Sequence, residues 1–351
     1  MKNNHWPTLI SIITASILFT FSTGCNKAEL HKEQPHSTIE GNITQPENQI
    51  ITQKTMVLNI HNLHGGSVEV VLSESARIFS TSDPGMITKL QKALQKKLPV
   101  QVSFDPWNPL LKEVTLLKPE AYRIDPQLLV RNQGLNIDID LASVNMEELN
   151  SPAYLNTQDR NPTLVNVIPD LATAQLIFNY LVQQCCVFPG PIQIDYCIPF
   201  QYAQDGCHAR AHKMCYVINT KFNYDTHKIF SIANDHVGEW LCVQAQKWGG
   251  CCLKWWFHVA PLVNVQTPGG VKAFVIDPSM FDQPVLLSTW LHAQENPLCS
   301  GGSTPNVTTI SVQPTASYRP NDFYNQTYVL DPYYSYTNNT LNNYHSLITC
   351  P

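Results

Sequence analysis

The sequence predicts an α+β protein: an antiparallel sheet set against a helix that begins at Cys207, preceded by a small α/β domain. Three observations predict it. "WWFHVAPLVNV" and "VKAFVIDPS" are apolar, β-branched runs on either side of the turn "QTPGG", which is a hairpin signature. From Cys207, the residues Ala211, Met214, Cys215 and Ile218 keep helical spacing. The first half carries no cysteine between residues 26 and 184, yet alternates strand-like and helix-like stretches.

The elements follow in order. "SVEVVL" (Ser67 to Leu72) reads as a strand. "SDPGMITKLQKALQKKLP" reads as a helix, with Ser82 or Asp83 as its cap, Pro84 in its first turn and Pro99 as its stop. Ile87, Leu90 and Leu94 share one face, and Lys96 and Lys97 sit where the helix dipole favours cations. "VQVSF" and "EVTLL" read as short strands. Residues 145–163, with Arg160, are polar and turn-rich and predict an exposed linker open to proteases. "VIPDLATAQLIFNYLVQQCC" opens the second domain as a helix capped by Asp170, with Leu171, Ala174, Ile177, Phe178 and Leu181 as its apolar residues. The end of the chain is rich in Tyr and Asn, lacks a period, and is expected to wrap the surface, pinned by Cys350.

Composition sets the class. The chain has 351 residues, enough for two modest domains; charged residues are 14% and the net charge is −5. No basic patch stands out, which argues against a nucleic-acid partner. Lys2, the apolar run from Leu9 to Phe21 and the small residues Ser22 to Gly24 form a secretory signal, too short for a membrane span. Gly24-Cys25 looks like a lipoprotein processing site with Cys25 as the lipidated residue, although Ser22 stands where such sites usually carry Leu. A lipid there is the one expected membrane attachment. Eleven cysteines, ten of them after residue 184, fit an exported, disulfide-stapled domain whose connectivity the sequence leaves open. The expected organisation is a signal over 1–25, a flexible tether over 26–55, a first domain over 56–144, the linker over 145–163 and a second domain over 164–351.

"QDGCHARAHKMCY" (Gln204 to Tyr216) admits three readings: a metal-binding helix, a disulfide anchor, or the nucleophile end of an active site. Asp205-Gly206 turns the chain just before the helix, so Cys207 stands at its N-terminus, where a thiol pKa is lowered. A nucleophile needs a base, and the base an orienting group. If Pro268 and Gly269 are the central turn residues, Ala260 stands opposite Asp277, and His258 is a diagonal neighbour of Asp277 on the same face. A carboxylate beside an imidazole completes a triad. His208 and His212 share a helix face, yet Ala209 stands where a metalloprotease helix carries Glu, so no metal is expected.

"DGCHARAHKM" (Asp205 to Met214), "WWFHVAPLV" (Trp255 to Val263) and "VIDPSMF" (Val275 to Phe281) resemble the bacterial protein glutaminases. The likeness covers residues 165–351 and extends more weakly over 56–130, where "MITKLQKALQKKLPVQVSF" looks like part of the family's pro region. The resemblance implies a preproenzyme with a fold related to transglutaminases and papain-like cysteine hydrolases. It implies hydrolysis of glutamine side chains in proteins, without a cofactor, with Cys207 as nucleophile, His258 as base and Asp277 as orienting acid. Tyr202, Asp205, Trp255 and Trp256 are the candidate substrate contacts. The partners implied are a protein or peptide with exposed glutamine and an activating protease, and the place is outside a bacterial cell or on its envelope. By the same analogy, the region from Val68 to Phe79 is the candidate blocking segment. His208 follows the nucleophile where the family carries an aromatic, Phe257 precedes the base where Tyr is expected, and "QQCCVFPGP" has an extra cysteine. The same triad could also serve a transglutaminase or a cysteine protease, and a disulfide-rich lipoprotein that only binds a partner is the non-catalytic alternative.

Overall fold

The computed structural model describes residues 49–132, 134–151, 163–186, 197–234, 238–301, 305–322, 324 and 326–350. The signal segment with Cys25, nearly all of the tether and the stretch around Arg160 lie outside the described residues.

The first unit comprises β1 (Ile51–Asn62), β2 (Val68–Leu72), β3 (Ile78–Thr81), α1 (Pro84–Lys96), β4 (Pro99–Phe104) and β5 (Leu111–Leu116). Its strands form one antiparallel sheet in the order β3-β2-β1-β4-β5. Asp83 caps α1 by accepting from the Met86 N–H at 2.7 Å, and Leu90 and Ala93 bury the helix on the sheet. β1 corrects one boundary. Ile51 to Thr55 were expected in the tether, but they pair with Phe104 to Val100. Their polar residues hide the alternation from the sequence, because only Ile51, Thr55 and Val57 turn fully inward along this stretch.

Two short strands and a turn of helix come next: β6 (Leu129–Arg131), β7 (Leu135–Asp138) and α2 (Met146–Leu149). The second unit then adds α3 (Leu171–Gln183), α4 (Cys207–Phe222), β8 (His227–Ile232), β9 (Leu241–Gln244), β10 (Cys252–Trp255), β11 (Phe257–Thr267), β12 (Gly270–Val275), β13 (Val285–Leu286), α5 (Leu287–His292), β14 (Thr309–Pro314), β15 (Ser317–Pro320), β16 (Thr327–Leu330) and α6 (Ser335–Tyr344). Its main sheet runs β13-β12-β11-β8-β14-β7, and a smaller one runs β15-β16-β6. α4 lies against β11, with β15 and α6 also packed on it. Its inner residues Ala211, Met214 and Ile218 join one core with Ile229, Phe230 and Val259.

The first half of the chain therefore reaches into the second. β7 is the edge strand on β14, and β6 is the edge strand on β16. The start of the expected linker is anchored too: Leu149 is buried, the Asn150 side chain brackets Ser288 through two hydrogen bonds, and its carbonyl accepts from the Ala273 N–H. Strand pairing of this kind holds peptides without a covalent link. A single cut between residues 151 and 163 is thus expected to leave both pieces eluting together on size exclusion in native buffer and separating only in denaturant. Separation in native buffer would contradict this.

The tail also departs from expectation. It does not merely wrap the surface: Tyr318, Tyr328, Leu341 and Tyr344 are buried, and α6 packs on α4. Burial there comes from long-range pairing, which local periodicity does not report. Disulfides join Cys186 to Cys197, Cys251 to Cys350 and Cys252 to Cys299, while Cys207 and Cys215 remain thiols.

Candidate active site

Gly206 precedes α4 with φ of 74°, a left-handed conformation that glycine adopts without steric cost. It also has no room for a side chain: a Cβ would stand 2.8 Å from the Tyr344 ring. Gly206→Ala should therefore cost on the order of 1–3 kcal/mol from backbone strain alone, with the ring clash in addition. A thermal melt checks this, and an unchanged midpoint would contradict it.

The turn delivers Cys207 to the first residue of α4, with its thiol buried against the Val259 backbone. Burial pushes this thiol up to about 12; Arg210 opposes the rise, and Asp205 adds to it. The expected lowering by the helix start is thus corrected. The thiol is buried, and loss of water outweighs the backbone N–H groups.

The hairpin supplies the partners. β11 and β12 pair with Thr267 opposite Gly270 and Leu262 opposite Val275, and the Ile276 N–H reaches the Pro261 carbonyl. This register carries Asp277 past the strand end towards His258, and His258 Nε2 lies 2.8 Å from Asp277 Oδ2. The same oxygen accepts from Trp290 Nε1 at 3.0 Å, and Oδ1 accepts from the Ser279 N–H at 3.1 Å. Burial works against ionisation of Asp277, but the charge and hydrogen bond of His258, with Trp290 and Arg210, together hold it below the usual carboxylate value. An ionised Asp277 keeps the ring proton on Nε2. His258 Nδ1, buried and without a hydrogen-bond partner among the described residues, is left with its lone pair. Val259, next in the strand, is the residue whose backbone meets the Cys207 thiol. The imidazole is stacked between indoles: Trp255 at 4.4 Å and Trp290 at 5.3 Å between ring centres.

The loop between β2 and β3, residues 73–77, lies over these groups. Ser75 Oγ donates to Asp205 Oδ2 at 2.6 Å, and the Ala76 N–H donates to Asp205 Oδ1 at 3.0 Å. The Ser75 and Ala76 carbonyls accept from Trp256 Nε1 and the Trp256 N–H, at 2.6 and 2.9 Å. Arg77 forms an antiparallel bridge with Trp255. Tyr202 is buried and donates to the Pro106 carbonyl of the first unit at 2.8 Å. Three of the four candidate substrate contacts, Tyr202, Asp205 and Trp256, therefore hold the first unit by hydrogen bonds. The fourth, Trp255, walls the imidazole and donates to the Gln204 carbonyl.

The two helix histidines are occupied by packing. His212 Nδ1 faces Lys228 Nζ, and Nε2 faces the Asp331 carbonyl, leaving no ring nitrogen for a metal. His208 packs edge-on against Tyr318 at 4.9 Å. Three contributors carry no local sequence signal: Trp290, which donates to Asp277; Tyr344, whose hydroxyl donates to Asp205 at 2.9 Å; and Arg319, paired with Glu74 of the covering loop. Each comes from a segment with no local motif; the tail's run of tyrosines was the one available hint.

A family model described as glutaminase (Gln_deamidase_2) matches residues 174–294, the span holding Cys207, His258 and Asp277. Two solved structures, pro-protein-glutaminase and its A47Q2 mutant, match at 26% identity over 85% of this chain and 93% of theirs, with TM-scores of 0.58 and 0.59. The chain belongs to the protein-glutaminase family. The protein-glutaminase of Chryseobacterium proteolyticum, at 32% identity, aligns over 53% of this chain and 93% of its own, with a TM-score of 0.45. A search of curated proteins returned no match. The mixed α+β fold with antiparallel sheets is shared with the two pro-protein-glutaminase structures, whose coverage extends over both units of this chain.

Proposed function

We propose that this protein-glutaminase family member is made as a zymogen and, once processed, hydrolyses glutamine side chains of proteins to glutamate and ammonia. The observation that carries the reading is the buried His258–Asp277 pair beside Cys207, with a loop of the first unit hydrogen-bonded across it.

Chemistry follows from the geometry. The Cys207 proton passes to His258 Nδ1, and the thiolate attacks the glutamine carboxamide carbon. First-turn N–H groups of α4, which have no intrahelical acceptors, are placed to hold the oxyanion. The imidazolium returns the proton to the departing nitrogen, ammonia leaves and a thioester remains. Water then gives a proton to Nδ1 and attacks the thioester; glutamate leaves and the thiol is restored. Asp277 holds Nε2–H throughout and stabilises the charged ring, and the flanking indoles of Trp255 and Trp290 favour the same cation. Asp205 and Trp256, which bind the loop's backbone here, take the substrate's backbone in its place.

Export by the N-terminal signal, release by a protease and a lipid on Cys25 belong to the same reading. Among the described residues, no helix is long and apolar enough to cross a membrane. The test is to cut the intact chain between 151 and 163, strip the first piece with mild denaturant, and offer a glutamine-rich protein with and without a primary amine. Ammonia without new peptide termini or amine incorporation is the expected result. New termini would indicate a protease, and amine incorporation a transglutaminase. No reaction, with Cys207→Ala indistinguishable from the parent, would sink the enzyme reading.

A further inference from the structure

The covering loop carries a charge that the proposed reaction does not use. Glu74 lies two residues before Ala76 and forms an ion pair with Arg319 of β15. Arg319 is buried, 2% exposed, in a position no surface cation needs. Among the described residues its hydrogen-bond partners are the neighbouring Pro320 carbonyl, Glu74 and the Tyr122 hydroxyl. The last two both belong to the N-terminal half. Removing that half leaves a buried guanidinium short of its carboxylate, with Tyr318 and Tyr336 as neighbours. A fork of this shape takes a carboxylate through two parallel hydrogen bonds.

The loop fixes where that carboxylate would sit. Ser75 turns its hydroxyl to Asp205, while the Ala76 side chain enters the apolar cluster that includes Cys207. The Ala76 N–H and carbonyl are held by Asp205 and Trp256. Residue 76 is thus held from both sides of the site, by Asp205 two residues before the thiol and by Trp256 two residues before the imidazole, so a substrate bound in the same frame places its glutamine at 76 and the residue two positions earlier at Arg319. We propose that Arg319 is a specificity determinant of the processed enzyme, selecting substrates with an acidic residue two positions before the reactive glutamine. The inference rests on the deamidase reading and adds a sequence preference to it. Glu74 is then an internal occupant of that subsite, and the same cation holds first the loop and later the substrate.

The test uses the intact chain, processed as above, on three peptides identical except two positions before a single glutamine: Glu, Lys or Ala. Expected is kcat/KM for the Glu peptide on the order of tenfold or more above the Ala peptide, with the Lys peptide below Ala. The ratio should fall with added salt. Moving the glutamate to two positions after the glutamine should abolish the gain. Arg319→Gln should bring the ratio close to one, Arg319→Lys should keep part of it, and Arg319→Glu should favour the Lys peptide. Equal rates for the Glu and Ala peptides with the unaltered enzyme overturn the proposal whether or not any variant folds, and they leave the deamidase reading standing. No ammonia from any peptide overturns that reading, and this one with it.

Discussion

Asp277→Asn in the processed chain should lower kcat on a glutamine peptide by about 10⁴-fold, the scale of a triad left with the wrong histidine tautomer. The reasoning starts from the hydrogen bonds. Asp277 Oδ2 receives both His258 Nε2 and Trp290 Nε1, and Oδ1 receives the Ser279 N–H. A carboxylate can accept on every side, so the imidazole must place its proton on Nε2. An amide offers one oxygen and one NH2 group. Trp290 and Ser279 each supply a donor, so the amide cannot satisfy both and also accept from Nε2 without frustration. With its NH2 towards His258, the ring proton moves to Nδ1, the nitrogen that must take the Cys207 proton. The proposed substrate contacts Asp205 and Trp256 are not among the hydrogen-bond partners of Asp277, so KM should move far less than kcat. Steady-state kinetics checks this, with circular dichroism confirming an intact fold. A kcat within tenfold of the parent would remove Asp277 from the mechanism.

The second large effect concerns the thiol in the intact chain. Burial holds Cys207 near 12 against an ordinary value of 9.0. At pH 8 this lowers the thiolate fraction roughly a thousandfold, before any steric shielding. Alkylation of Cys207 by iodoacetamide should therefore be slower in the intact chain than after removal of the first unit, by up to that factor. The sign with pH is fixed: raising the pH towards 12 ionises the covered thiol and narrows the gap, and lowering it does not. Cys215, also buried with its thiol raised by desolvation, serves as the internal control because it lies on the inner face of α4, with its thiol against the His227 carbonyl. Mass mapping of labelled cysteines over time gives both rates. Equal labelling of Cys207 before and after processing would mean that the loop does not guard it.

The site was legible where its parts were close in sequence. Cys207 announced itself by the turn before it and the helical spacing after it. His258 and Asp277 lie on one hairpin, so turn position alone placed them on one face, and the register of β11 and β12 is the one that turn dictates. What stayed hidden was built by contacts across the chain. Trp290 reaches Asp277 from α5, and Tyr344 reaches Asp205 from a tail whose composition suggested a loose wrap. The direction of the thiol's pKa was misjudged because the helix start is a local feature, while the burial that outweighs it is built by packing across the chain. The partition of the chain was similarly blurred: β6 and β7 carry too few residues to show a period, and their place is set by the edges of β16 and β14.

The central claim is that Cys207, served by His258 and Asp277, exchanges a glutamine amide for a carboxylate once the covering loop is gone. The most direct measurement is mass spectrometry of a glutamine-containing protein treated with the processed chain in water enriched in heavy oxygen. The account predicts conversion of glutamine to glutamate with one heavy oxygen per site, and no conversion by the intact chain or by processed Cys207→Ala. Conversion that survives Cys207→Ala, or the absence of any conversion by a folded, processed and thiol-reactive chain, would contradict it.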